Sequence, residues 1–331
     1  MRIFRFFYRS ILLLFILSVI VLAVFRVMAF YREDIQRDLA LPSEGRLIDV
    51  GGVDIYVEES GASEAPPVLL VHGSVGWSGL WRETSAVLSA EGYKAIAFDL
   101  PPMGFSDRDP RGGYSRERQA ERIVALTDAL GLKPTLVAHS FGAGPALEAV
   151  LRNPDKFAGL VVVSGAIGLE THLEERSLPL VMQPLLFREA AISATATNPI
   201  AMGPLLGLFL HRKDSVTPET LEILNEPMRL RNTTEALAGW LPSLLVPPQE
   251  ALSTRPDEIS KAQIPAALIW GDKDPTTPLA QGEALLEALP NSTLTVLEDV
   301  GHIPQIEDPG GFHDALIESL SAIAPTPGSG G

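Results

Sequence analysis

Val137-Ala138-His139-Ser140-Phe141-Gly142-Ala143-Gly144 joins an apolar run, Thr135–Ala138, to a helix-like stretch, Pro145–Arg152. A strand that turns this abruptly into a helix forces the residue at the corner into a strained backbone conformation. The residues two before and two after must be small to pass without a clash, the pattern written G-x-S-x-G. Here Ala138 and Gly142 are the small residues and Ser140 sits at the corner. Ala138 is a permitted but weaker form of the first position. A serine presented this way is a candidate nucleophile, and it needs a base and an orienting acid elsewhere in the chain.

Outward from this corner, short apolar runs alternate with helical patterns. Gly45–Glu59 reads as two strands around Gly51-Gly52, a hairpin signal. Val68–Val71, Lys94–Phe98, Thr135–Ala138, Leu160–Val163, Ala267–Trp270 and Thr293–Leu297 are continuous apolar strands, expected to be buried on both faces of a parallel sheet. Ser115–Leu130, closed by Gly131 and Pro134, is a helix of the kind that covers such a sheet. The alternation predicts an α/β layer architecture.

It breaks between Ile167 and Gln263. No strand pattern occurs there, only apolar, helix-like pieces interrupted by prolines including Pro204 and Pro242. Ninety-odd residues are too many for a structureless loop in a compact domain, so a helical insertion over one end of the sheet is expected. Met182, Leu185, Leu186, Phe187, Phe209 and Trp240 are candidates to line an apolar pocket above the serine, or to form the insertion's own core.

The 331 residues carry 26 basic and 41 acidic side chains and are 46% hydrophobic. Six arginines face four acids in residues 1–44, a net +2, so against a chain total of −15 the body carries −17. A body this acidic repels phosphate backbones, and no nucleic-acid partner is expected. With no cysteine, a thiol nucleophile, a disulfide framework and a cysteine zinc site are excluded. The six histidines show no metal-ligand spacing, so neither a metal nor a cofactor is expected.

Ile11–Phe30 gives 20 residues interrupted only by Arg26, about the length that crosses a hydrocarbon core. Arg26, near one end, can snorkel to the interface. The rival is a cleaved signal peptide, with Arg2, Arg5 and Arg9 ahead of the apolar run and Val27-Met28-Ala29 as cleavage site. That run exceeds the usual signal core. The arginine bias favours the amino terminus in the cytoplasm and the body outside it. The expected organisation is an anchor over 1–31, a polar stalk over 32–44, a core over 45–166 and 264–322, a helical insertion over 167–263, and a disordered tail over 323–331.

Candidate bases follow from position. His302 lies in a loop after the last strand, marked by Gly301 and Pro304, and can reach back over the sheet. His139 adjoins the serine but points away at such a corner; His72 ends a strand and is expected to brace its loop. His172, His211 and His313 are assigned to the surface or the insertion. Asp272 and Asp274 end a late strand and are the candidate acids, since Ser164–Leu169, after the preceding strand, holds no carboxylate. Ser74 is a fallback nucleophile without a strand-to-helix corner.

The turn His72-Gly73-Ser74-Val75-Gly76, the Ser140 corner, the late aspartates, His302 and the segment D99-L-P-P-M-G-F-S-D107 together resemble the α/β-hydrolase superfamily, from about Gly45 to Leu320. Ala138 and Pro102 stand where that family usually has glycine. The resemblance implies a mostly parallel eight-stranded sheet with helices on both faces and a helical cap, preceded here by one transmembrane helix. It implies the order nucleophile, acid, histidine, and its G-x-x-D-x-x-x-P form, matched by Gly271 and Pro278, selects Asp274 over Asp272. The backbone N–H groups of Phe141 and Ser74 would form the oxyanion hole, while Asp99 and Ser106 would be structural. Serine at 140 argues against the superfamily's aspartate-based epoxide hydrolases and dehalogenases. The expected activity is hydrolysis of a small apolar carboxylic ester or related acyl bond. Carbon–carbon hydrolysis, acyl transfer and perhydrolysis are alternatives on the same fold, and a non-catalytic tethered binder is the competing class.

Overall fold

The computed structural model describes residues 2–108, 113–169, 177–246, 248 and 250–323. His172 and the tail from residue 324 lie outside them. Eight strands form one sheet in the order β1-β2-β4-β3-β5-β6-β7-β8. They are β1 (Gly45–Asp49), β2 (Asp54–Ser60), β3 (Pro67–Val71), β4 (Lys94–Phe98), β5 (Thr135–His139), β6 (Gly159–Val163), β7 (Ala266–Gly271) and β8 (Ser292–Leu297). Only β2 runs antiparallel to its neighbours. Twelve α-helices are described: α1 (Arg2–Arg32), α2 (Arg82–Ala90), α3 (Arg116–Leu130), α4 (Ala143–Arg152), α5 (Leu185–Ala194), α6 (Pro199–Phe209), α7 (Pro218–Asn225), α8 (Thr233–Leu245), α9 (Pro256–Ile259), α10 (Leu279–Ala288), α11 (Pro304–Glu307) and α12 (Pro309–Ile323).

The period-2 geometry of a strand sends successive side chains to opposite faces. In β5, Leu136 and Ala138 pack with Ile123 of α3 and Leu147 of α4, whereas Val137 packs with Leu88 of α2 and Leu316 of α12. The apolar runs are apolar throughout because both faces are covered. The edge strand β8 departs from this: only Leu297 in it is buried, and Val296 is exposed, since no strand flanks its outer side.

Helices α5 to α8 fill the interval between β6 and β7. Pro204 and Pro242 lie inside α6 and α8 and do not end them. The boundary expected at 263 falls inside core-packed chain. The buried carboxylate of Glu148 on α4 accepts the backbone N–H of Leu252 at 3.2 Å and of Ser253 at 2.8 Å, and Ile259 joins the main core.

Residues 32–44 are not a free polar stalk. Glu33 is buried and accepts the N–H of Thr234 at 3.1 Å and its hydroxyl. Ile35 bridges to Leu230, and Arg37 pairs with Asp54 at 3.1 Å and with Asp107. Ile35, Ala40 and Leu41 close over Tyr56, Trp77 and Phe105. The few apolar residues of this segment find a groove between insertion and core, which its charged composition concealed.

Candidate active site

The C-terminal ends of parallel strands converge on one edge of the sheet, where loops can bring distant residues together. Ser140 follows β5 with φ 51°, the strained corner its neighbours imply. A Cβ on Gly142 would stand 2.4 Å from the carbonyl oxygen of His72. One on Gly73 would stand 2.8 Å from Nδ1 of His139 and 3.0 Å from Cβ of Ser140. The turn after β3 and the corner after β5 therefore press together backbone to backbone, and glycine is required on both sides. Ala138 is fully buried in the core, where its methyl is accommodated.

His302 comes from the loop after β8 and Asp274 from the loop after β7. Nε2 of His302 lies 2.8 Å from Oγ of Ser140, and its Nδ1 lies 2.9 Å from Oδ2 of Asp274. A carboxylate only accepts, so Nδ1 carries the proton and Nε2 is free to accept from the serine hydroxyl. Burial alone would raise the Asp274 carboxyl. Hydrogen bonding and charge from His302, with the N–H groups of Thr276 and Thr277 at 2.8 and 2.9 Å, hold it below the ordinary aspartate range.

The other sequence candidates take separate places. His139 is turned away from Ser140, and its Nε2 donates to the carbonyl oxygen of His302 at 2.9 Å. His72 donates from Nδ1 to Gly73 O and accepts the N–H of Leu100 at 2.9 Å, bracing the turn. Asp272 accepts the N–H of Asp299 at 2.6 Å, a loop contact. His211 is at the surface beside Asp299, but His313 is buried against Thr84, contrary to its surface assignment, because α12 packs on α2. Asp99 accepts the N–H groups of Ser78 and Phe105 at 2.6 and 2.7 Å, and burial pushes it up to about 7 against the pull of those bonds. Ser106 donates to Asp99 O and accepts from Tyr56 N, a tie between strands.

Ser74 lines the pocket beside Ser140, while Val75, at φ 58°, points its N–H at Sδ of Met103, 3.2 Å away. Phe141 stacks edge-on to Trp240 of α8, ring centroids 5.1 Å apart. Three further residues shape the site, though neither their positions nor the motifs around them single them out. The Thr277 hydroxyl lies 2.8 Å from Asp274 Oδ2, 3.1 Å from His302 Nδ1 and 3.1 Å from the carbonyl of Ser164. Met103 holds the β3 turn, and Glu307 holds the His302 loop. The only hint of Thr277 was its place in Asp274-Pro275-Thr276-Thr277-Pro278, where a threonine reads as a turn former.

The pocket above Ser140 is about 290 Å³. Phe209 and Trp240 line it, with Leu206, Leu241, Leu244 and Met202; none of its described lining residues is Lys, Arg, Asp or Glu. Met182, Leu185, Leu186 and Phe187, expected as candidates, do not line it. Leu185, Leu186 and Phe187 are exposed on the outer surface of the insertion. Among the described residues no group of three or more His, Asp or Glu side chains is placed to hold a metal.

A family model described as the alpha/beta hydrolase fold matches residues 66–309. The chain belongs to this family. It is a hydrolase of the α/β fold, and curated relatives are similar over most of its length. The 2-hydroxymuconate semialdehyde hydrolase of Pseudomonas putida is 29% identical over 286 residues, covering 86% of this chain and 96% of that one. Among solved structures, the meta-cleavage product hydrolase CumD of Pseudomonas fluorescens IP01 matches with a TM-score of 0.68 and 26% identity, over 84% of this chain and 98% of that one. A thermophilic esterase from Thermogutta terrifontis matches with a TM-score of 0.67 and 22% identity, over 85% and 99%, and shares the fold.

Proposed function

We propose that this α/β hydrolase cleaves carboxylic esters through an acyl-enzyme on Ser140. The observation that carries the reading is the hydrogen-bonded chain Ser140–His302–Asp274 opening onto an apolar pocket without a cation. Ser140 Oγ attacks the ester carbonyl as its proton passes to His302 Nε2, and Asp274 stabilises the imidazolium that results. The developing oxyanion would be met by the backbone N–H groups of Ser74 and Phe141. The intermediate collapses as His302 gives the proton to the departing alcohol, and water repeats the sequence to release the acid.

The relatives favour a second reading, carbon–carbon bond hydrolysis with the same residues. A muconate is a carboxylate, however, and burying an unpaired carboxylate in an apolar pocket is costly. The absence of Lys and Arg from the described lining supports a neutral ester instead. Turnover of p-nitrophenyl acyl esters, measured beside a panel of meta-cleavage dienoates, separates the two. Esterase activity lost in Ser140→Ala supports the first reading; dienoate cleavage without ester turnover would replace it.

We also propose that α1 is an uncleaved membrane anchor with the body outside the cytoplasm. Most of its described apolar side chains, among them Ile11, Leu17, Val24 and Phe30, are exposed, while Ala29 at the body end is buried. Retention is supported by Arg26, whose Nε lies 2.7 Å from Glu189 on α5: cleavage after Ala29 would strip this partner away. Carbonate-washed membranes should keep the full-length chain, whereas release of a shortened form would point to cleavage.

A further inference from the structure

The first helix of the insertion and the anchor run side by side. Arg26 Nε meets Glu189 at 2.7 Å, and Arg32 Nη2 donates to the carbonyl of Thr197 at 2.6 Å. The chain advances in the same direction through both pairs, so α1 and the α5 segment are parallel. At the spacing of the first pair, Leu185, Leu186 and Phe187 stand level with Leu22, Ala23 and Val24 of the span. At 1.5 Å rise per residue this is about 10 Å beyond Phe30 into the apolar stretch.

The side chains at that level suit hydrocarbon. Leu180, Val181 and Leu186 are 83%, 61% and 67% exposed, an apolar cluster that the body leaves uncovered. The nearby charge of Arg188 is spent internally, on the carbonyls of Met182, Gln183 and Ala238. Arg26, the one charge inside the span, has its counter-ion on the insertion, so the two elements enter a low-dielectric layer more cheaply together than apart.

The same end of the insertion carries the pocket wall. Helix α8 runs antiparallel to α5, with Thr234 against Thr197 at 2.8 Å and Ala238 against Arg188. Its C-terminal end therefore lies beside the start of α5. There Leu241 and Leu244 line the pocket, while Leu244 and Leu245 are also 41% and 46% exposed.

We propose that the apolar end of the insertion, Leu180–Phe187 with Leu244-Leu245, is embedded in the same leaflet as the anchor, and that the Ser140 pocket takes acyl esters of lipids delivered from that leaflet. The proposal rests on the anchor and ester readings above and supplies the substrate class they leave open.

The cysteine-free chain permits a direct test. Full-length Leu186→Cys, Leu17→Cys and Leu39→Cys, each labelled with an environment-sensitive fluorophore, are reconstituted in phosphatidylcholine–phosphatidylglycerol vesicles containing nitroxide lipids. Quenching at positions 186 and 17 but not at 39 is expected. Quenching at 17 without quenching at 186 overturns the embedding while the anchor stands; no quenching at 17 removes the anchor and the embedding with it. In the second arm, Val181→Asp/Leu186→Asp should lower release of fatty acid from the vesicle lipids at least tenfold and leave hydrolysis of a water-soluble butyrate ester unchanged. Equal effects on both substrates, or wild-type protein that cleaves the soluble ester but no vesicle lipid, would overturn the substrate class. Failure on every ester would instead remove the ester reading.

Discussion

The carboxylate of Glu307 straddles His302: it accepts the N–H of Gly301 at 3.1 Å on one side and of Ile303 at 3.3 Å on the other. The same group takes the N–H of His211 at 2.7 Å and of Arg212 at 2.8 Å, and so ties the histidine loop to the chain leaving α6. His302 itself donates its backbone N–H to Phe209 at 3.2 Å. The residue proposed as general base is thus fixed by main-chain bonds before its imidazole is considered.

Glu307→Gln keeps the size but turns an amide N–H₂ toward at least one of these donors. A displacement of the base by a fraction of an ångström lowers turnover without removing the ground-state pocket. We expect kcat for a soluble ester to fall roughly tenfold with KM little changed, and stability to fall by about 2 kcal/mol, the cost of a lost charge-assisted bond. An unchanged kcat would show that the loop is held by other means.

Thr277 touches the proposed acid. Its hydroxyl lies between Asp274, His302 and Ser164. Thr277→Val removes the donor and leaves the shape, so kcat should drop about tenfold. Asp274→Asn, which disturbs the tautomer of His302, should cost several orders of magnitude. Steady-state kinetics on both variants checks the ranking; equal effects would mean that Asp274 does not orient the base.

Two buried histidines predict the response to acid. Burial lowers His72 to about 4; burial, then the charge of His302, lowers His139 to about 3. Unfolded, each titrates near its ordinary value of about 6.5. Between about pH 6.5 and 4 the unfolded chain binds more protons, so their contribution to stability is complete above this window and is lost as pH falls. His139→Gln preserves a donor to His302 O and removes one titration. The slope of unfolding free energy against pH should shrink by about one proton, ~1.4 kcal/mol per pH unit, in that window. Denaturant unfolding at a series of pH values measures it, and an unchanged slope would mean that His139 is already charged in the fold.

Gly104 is held by Asp99. It has φ 58°, and a Cβ there would lie 2.0 Å from Oδ2 of Asp99. Gly104→Ala should destabilise the body by roughly 3 kcal/mol or more, through αL strain and the displaced carboxylate. Thermal unfolding should show a midpoint lower by about 6 °C or more; a shift under 1 °C would contradict the packing.

The sequence reading reached the sheet because residues such as Val137 and Val161 must be apolar when both faces of a strand are covered. Ser140 and His302 stood out because a strained corner and a strand-end loop leave signatures in small residues and prolines, whereas Asp274 was separated from Asp272 only by the family resemblance. The seating of Glu33, Ile35 and Arg37 stayed hidden, since their partners Thr234, Leu230 and Asp107 are distant in sequence and pair across surfaces without a period. The exposure of Leu185, Leu186 and Phe187 was equally invisible: an apolar helix end reads the same whether it faces a pocket or a bilayer. Thr277 and Glu307 act through hydrogen bonds that exist only after β7, β8 and α6 have come together.

The central claim is that Ser140 is the nucleophile. Full-length protein treated with a fluorophosphonate and analysed by intact mass and peptide mapping should carry a single phosphonyl adduct, located on Ser140 and absent from folded Ser140→Ala. An adduct on Ser74, or labelling that survives Ser140→Ala, would contradict the account.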